Sequence, residues 1–395
     1  MKTILFYTPF PPAKETGACK VVLELTEELE LLGWHCTVIG PHEVAAALQP
    51  SQQCLVPSES LRHYLLKHAE HYDVVDYEHP HLPFPRSDFS PRPLFVARSV
   101  MLLHHLEQYP IPVGKSYKAK IGQILKGKER KKRLRQSIDE CFYSLQQADL
   151  INLCNDDEKA TLIRHGIPAD KMVVIPFGIS RVRRLLFDAI SSTPPVSPVV
   201  AFVGSFDYRK GVNEFPRIVE QVTAQIPEVR FRLIGTAGMF PNEQSVLAHF
   251  PKRLWPFIEV IPKFPALELP KLLAPCSLGI FPSRIEGFPF GVLEMLAASL
   301  PVFAYDVPGP RMTLLPDYLI KVGDADSISR KIITLLSDTE TLAAARRWAK
   351  QRSRQYQWKD IAEATSEIYS ARIVNRGNEC LSVVDICPQD NYIST

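Results

Sequence analysis

The run Val199-Val-Ala-Phe-Val203 has no polar residue at either alternate position. A strand with one wet face alternates apolar and polar side chains, so an unbroken run closing on a glycine reads as a strand covered on both faces. Such strands belong to parallel sheets, whose crossover helices pack on both sides. The continuation fits. Gly204-Ser205-Phe206-Asp207-Tyr208-Arg209-Lys210-Gly211 forms a loop, and Phe215, Ile218, Val219, Val222 and Ile226 then fall on one side of a helix. Further strands are expected at Val229–Ile234, Ile258–Val260, Leu278–Phe281, Val302–Ala304 and Leu319–Val322, most of them separated by helical patterns.

The earlier half repeats the scheme. Lys2–Thr8 reads as a strand, followed by a Pro-rich loop, Thr16-Gly17-Ala18, and a helix with Val21, Val22, Leu25, Leu29 and Leu32 at helical spacing. Gly33 closes that helix and Cys36–Ile39 is the next strand. Val74–Tyr77, Leu94–Ala97, Asp149–Leu153 and Val173–Ile175 continue the series, with a helix over Asp157–His165. A chain of 395 residues suits two α/β domains in tandem. They are placed at about 1–180 and 195–340, with Ser191–Pro198 as a Ser- and Pro-rich linker. One long helical pattern, Asp338–Ile373, supplies final helices over 341–373, and a mobile tail is expected over 374–395.

Composition narrows the class. Lys plus Arg number 46 against 43 Asp plus Glu, so no globally basic nucleic-acid binder is indicated. The eight cysteines form no C-x-x-C pair and read as small buried hydrophobes in a reducing compartment. The apolar run Ile4–Tyr7 is too short for a signal-peptide core, and no segment reaches transmembrane length. The expectation is a cytoplasmic protein.

Three segments then carry a resemblance: Phe202–Gly211, Phe281-Pro-Ser-Arg-Ile-Glu-Gly-Phe-Pro-Phe-Gly-Val-Leu-Glu294, and Leu300-Pro-Val302. They resemble the large family of retaining, nucleotide-sugar-dependent glycosyltransferases with the GT-B fold. Ile167–Gly178 and the opening of the first domain are similar to it as well. The resemblance implies two Rossmann-like domains facing an interdomain cleft, the first presenting the acceptor and the second binding the nucleotide sugar. The final helices would cross back to the first domain.

Glu286 follows the Leu278–Phe281 strand, and Glu294 lies inside the next helix. Ligands of open parallel sheets bind beyond the carboxyl ends of the strands. Both carboxylates therefore fall near a ligand's place, and a carboxylate can accept from both hydroxyls of a vicinal diol. The resemblance implies that Glu294 holds the ribose and Glu286 the transferred sugar. It also implies that the backbone N–H groups of Gly287 and Phe288 meet the diphosphate at a helix N-terminus. Lys210 matches the family's diphosphate lysine, supplying fixed positive charge where the leaving oxygens gain charge. The family's arginine after the first loop glycine, Gly204, is absent; Ser205 stands there. Arg209 is a candidate substitute, as a neighbour whose direction the sequence leaves open.

In the first domain the resemblance assigns Thr16 and Gly17 to the donor phosphates. Arg98, at the end of a strand, and His79, beyond another, are the better candidates for the catalytic side, ahead of His81, His104 and His105. Asn155-Asp-Asp-Glu158 reads as a helix cap, and Asp324-Ala-Asp326 as a cap rather than a metal site. No metal is expected to be required, and no cofactor beyond a UDP- or GDP-sugar co-substrate.

Between Lys115 and Arg135 stand ten basic residues and one acid, Glu129. With Ile121, Ile124, Leu125, Leu134, Ile138 and Phe142 at helical spacing, this is a basic amphipathic helix. Lys128, Arg130, Lys131, Lys132 and Arg133 could meet an anionic membrane, at about 1 kcal/mol per residue near lipid, or an anionic acceptor. The alternative is a solvated face with the apolar side on the core. The function implied is hexosyl transfer from a nucleoside diphosphate sugar to a glycan, lipid or small-molecule hydroxyl. The other readings are a GT-B relative that binds without turnover and a nucleotide-sugar epimerase.

Overall fold

The computed structural model describes residues 1–12, 17–49, 55–109 and 117–375. Twelve strands form two six-stranded sheets. The first contains β1 (Lys2–Tyr7), β2 (Trp34–Ile39), β3 (Val74–Glu78), β4 (Leu94–Arg98), β5 (Leu150–Leu153) and β6 (Met172–Val174), in the order β2-β1-β3-β4-β5-β6. The second contains β7 (Val199–Val203), β8 (Arg230–Ile234), β9 (Ile258–Ile261), β10 (Leu278–Phe281), β11 (Val302–Tyr305) and β12 (Leu319–Ile320), in the order β12-β11-β10-β7-β8-β9. Every pairing is parallel.

The chain divides into two compact units, each holding one sheet. One comprises Met1–His104, Lys128–Gly178 and the chain from Gln357; the other comprises His105–Gly127 and Ile179–Tyr356. In the second sheet the winding reverses between β7 and β10, and in the first between β1 and β3. These reversals are the switch points at which open parallel sheets hold their ligands.

The apolar runs behave as their composition demands. Val200, Phe202, Leu278, Ile280 and Phe281 are fully buried. Each contributes about 1.5–3 kcal/mol by leaving water. The helix Phe290–Ala297 is buried from Gly291 onward, so it packs as a core element rather than as an amphipathic cover.

Several element limits differ from expectation. β2 begins at Trp34, whose buried ring donates Nε1–H to Ser366 Oγ at 2.8 Å. The pattern Asp338–Ile373 is two helices, Thr339–Ser353 and Trp358–Asn375. It breaks where Tyr356 turns inward and its hydroxyl donates to the Met312 carbonyl at 2.6 Å. Of the two neighbouring histidines, only His105 is helical, opening His105–Gln108. The Ser- and Pro-rich stretch lies inside the second unit, where Arg346 donates to the Ser191 and Ser192 carbonyls at 3.1 and 3.2 Å. The tail expected to be mobile starts within the last helix, and its remainder lies outside the described residues.

Candidate active site

The second sheet's switch point is closed by two loops that nearly touch. Gly211 has φ +78°, and a Cβ there would sit 2.1 Å from the Pro282 carbonyl oxygen. Only glycine fits, because an L side chain is strained at that φ and blocked at that distance. The β10 loop answers with a hydrogen bond to the Arg209 carbonyl from Arg284 N–H at 2.8 Å. Gly291 does similar work, since a Cβ would meet the Val203 carbonyl oxygen at 2.3 Å.

This clamp brings charged groups to one point. Lys210 Nζ forms a buried ion pair with Glu286 Oε1. Arg209 Nη1 donates to the same oxygen at 3.1 Å, and Ser283 Oγ donates to it at 2.5 Å. Burial pulls the Lys210 ammonium below its ordinary pKa, and Glu286 opposes the pull. Lys210 also lies 4.6 Å from the centroid of the Phe281 ring. Asp207 shapes the turn: Oδ1 accepts from Lys210 N–H at 3.0 Å, and Oδ2 accepts from Ser205 Oγ at 2.7 Å. Glu294, in the helix that starts beyond this loop, forms a buried ion pair with Arg183. Gly287 and the buried Phe288 immediately precede that helix.

A switch-point loop with a buried lysine, a partnered glutamate and a following buried helix suits an anionic, hydroxyl-rich ligand. Residues 187–352 match the family model described as "Glycosyl transferases group 1". This region is a group 1 glycosyltransferase domain.

Solved structures extend the likeness of fold over nearly the whole chain. A curated but uncharacterized glycosyltransferase of Methanocaldococcus jannaschii is 24% identical over 171 residues, covering 42% of this chain and 46% of the relative. The match thus spans about half of that relative's length. Among solved structures, sucrose-phosphate synthase from Thermosynechococcus elongatus aligns with TM-score 0.72 at 19% identity, covering 95% of this chain and 100% of that one. The Anabaena protein HepE, in complex with UDP-glucose, aligns with TM-score 0.64 at 17% identity, covering 94% and 100%. The two Rossmann-like sheets are a GT-B fold.

The group 1 domain brings together Lys210, Arg209 and Glu286 from the sequence-derived set. Gly204 and Ser205 lie on the same loop, Ser205 turned to Asp207. Sequence reasoning passed over Ser283, although Pro282-Ser283 was in the motif, and Asp207. It also missed Arg183, for which the sequence holds no signal. Its helix, Arg181–Asp188, turns Arg183 and Arg184 inward and leaves Val182, Leu185 and Leu186 exposed.

Outside the group 1 domain, Gly17 is the first residue of the helix Gly17–Leu31, while Thr16 lies outside the described residues. Arg98 is fully buried, with Nε donating to Asp76 Oδ1 at 2.8 Å. Asp76 Oδ2 accepts from the Tyr369 hydroxyl at 2.8 Å. Burial works against the Arg98 charge, but Asp76 and Glu78 outweigh it and leave its pKa raised. His79 opens a short turn after β3, buried, with burial driving its pKa down to about 3. It is therefore neutral at physiological pH.

Asn155 caps the helix Asp156–Arg164 through Glu158 N–H at 2.8 Å. Glu158 itself is fully buried and accepts from Leu102 N–H at 2.9 Å, fastening the segment after β4. Burial raises its pKa to about 7, against the hydrogen bond from Leu102. Asp324 caps Ala325–Leu336, and Asp326 pairs with Arg217.

Lys131, Lys132 and Arg133 are exposed on the helix Tyr117–Gln147, while Ile138, Cys141 and Leu145 turn to the core. The side chains of Lys128 and Arg130 lie outside the described set. Among the described residues no helix is long and apolar enough to cross a membrane.

Proposed function

We propose that the protein is a retaining hexosyltransferase that moves a sugar from a nucleoside diphosphate to an acceptor hydroxyl. The observation that carries this reading is the convergence of Lys210, Arg209 and Ser283 on Glu286 Oε1 at the switch point. Lys210 and Arg209 supply two cations for a diphosphate, beside the carboxylates of Glu286 and Asp207. Arg209 takes the place of the arginine absent at Ser205. Glu286 then accepts from hydroxyls of the transferred sugar, Glu294 from the ribose, and the Gly287 and Phe288 backbone faces the diphosphate. HepE in complex with UDP-glucose favours a UDP-sugar donor, with a GDP-sugar the other candidate.

In this reading the bond from the anomeric carbon to the phosphate oxygen breaks, and its electron pair stays with the diphosphate. The acceptor oxygen bonds to the anomeric carbon on the same face. Its proton passes to the departing phosphate oxygen. Lys210 and Arg209 stabilise that oxygen as charge develops on it. The acceptor is a glycan, a lipid or a small molecule. The cationic stretch of Lys128, Arg130, Lys131, Lys132 and Arg133 favours an acidic acceptor or the anionic inner face of a membrane.

Incubation with UDP-, GDP- and ADP-sugars tests the reading. Transfer or slow hydrolysis of one donor supports it. Interconversion of the sugars replaces it with an epimerase, and binding without turnover replaces it with a silent relative. Retention on vesicles containing anionic lipid at low salt tests the membrane contact, and free passage overturns it.

A further inference from the structure

The ion pair between Arg183 and Glu294 joins residues 111 positions apart. The helix that carries Arg183 is built inside out: Val182, Leu185 and Leu186 are 59%, 73% and 40% exposed, while Arg183 and Arg184 are buried. Turning a guanidinium inward is costly unless it is paired and hydrogen-bonded. Arg184 already anchors this helix, donating to Ser353 Oγ at 2.9 Å and to the Ser353 carbonyl at 2.7 Å. Arg183 goes instead to a carboxylate, its guanidinium 5.8 Å from the centroid of the Phe187 ring. Glu294 is the carboxylate that this inward guanidinium meets.

Glu294 has matching needs. The residues around it on its own helix, Gly291–Ala297, are all buried. Burial favours the neutral form of an acid, which would become a donor and lose acceptor capacity. A guanidinium is charged at every working pH, and its planar fork holds a carboxylate in one orientation. A carboxylate accepts at about four positions, so a guanidinium at Oε1 does not exhaust it.

We infer that Arg183 is a positioning residue for nucleotide recognition: it holds and aims the Glu294 carboxylate, so that the site demands the vicinal diol of a ribonucleotide. The inference rests on the proposed ribose role of Glu294 and adds the residue that enforces it. Its consequence is discrimination between ribo- and 2′-deoxyribonucleotides, a property no scaffold role for Arg183 would produce.

The test measures dissociation constants for UDP and GDP, each against its 2′-deoxy counterpart. The proteins compared are wild type, Arg183→Lys, Arg183→Met, Glu294→Gln and the double variant Arg183→Met/Glu294→Gln. Wild type should prefer the ribonucleotide by about tenfold, the value of one well-made hydrogen bond to a charged group. Arg183→Met should erase most of that preference. Arg183→Lys should fall between. The double variant removes the buried unpaired acid, so it should fold where Arg183→Met does not, still without the preference. Full preference in Arg183→Met, with its loss in Glu294→Gln and in the double variant, overturns the role of Arg183 and leaves the ribose role of Glu294 standing. Full preference in Glu294→Gln overturns both.

Discussion

Lys210 and Glu286, 76 positions apart, form a buried ion pair where two loops of the second sheet are pressed together. Neither position alone requires a partner. The loops meet because Gly211 lets the β7 loop pack onto Pro282, and this places the ammonium on the carboxylate.

Lys210→Ala removes the cation assigned to the leaving diphosphate. Turnover should fall by about 10²–10³, the usual cost of one transition-state donor. Arg209 remains on Glu286, so the protein should stay folded. Steady-state rates beside a thermal melt check this, and a wild-type rate would remove Lys210 from the chemistry.

Gly211→Ala tests the loop clamp. The added Cβ is strained at φ +78° and collides with the Pro282 carbonyl. Destabilisation of about 3 kcal/mol is expected from the backbone conformation and the displaced loop together. Denaturant unfolding measures it; a change under about 0.5 kcal/mol, ordinary for a surface site, would contradict the close approach.

Two buried groups of the first unit should tilt the pH dependence of stability in opposite directions. His79 falls from 6.5 to about 3 on folding, so between those values the unfolded chain holds more protons and stability rises with pH. Glu158 rises from 4.5 to about 7, so between those values the folded chain holds more protons and stability falls with pH. His79→Asn should therefore lose the rising contribution, and Glu158→Gln the falling one. Unfolding free energies of each variant minus wild type, from pH 4 to 8, check both signs. A flat difference in either series contradicts the corresponding shift.

Most of the architecture was legible because doubly covered strands announce themselves. Val199–Val203 and Leu278–Phe281 are runs with no competing polar pattern, and both occur with the expected limits. Elements with mixed faces blurred. Trp34 and His35 extend β2 at an end where polar and apolar residues alternate, and the helical spacing across Tyr356 conceals a break.

The charged cluster was legible where a loop motif held its residues close in sequence, as with Arg209 and Lys210, while Ser283, inside the Glu286 motif, was passed over. That Arg209 and Lys210 reach one oxygen was not readable, because loop neighbours diverge unless the backbone turns them together. Here Asp207 does so by accepting the Lys210 N–H. Arg183 was hidden for the opposite reason: on its helix the apolar residues face out and the charged ones in, so periodicity points the wrong way.

The central claim is that Lys210, Arg209 and Glu286 form the donor's grip. A crystal structure with a bound UDP- or GDP-sugar tests it most directly. The account predicts diphosphate oxygens within hydrogen-bond reach of Lys210 Nζ and the Arg209 guanidinium, with a sugar hydroxyl on Glu286 where the lysine now sits. A donor ordered elsewhere, with the Lys210–Glu286 pair intact and untouched, would contradict it.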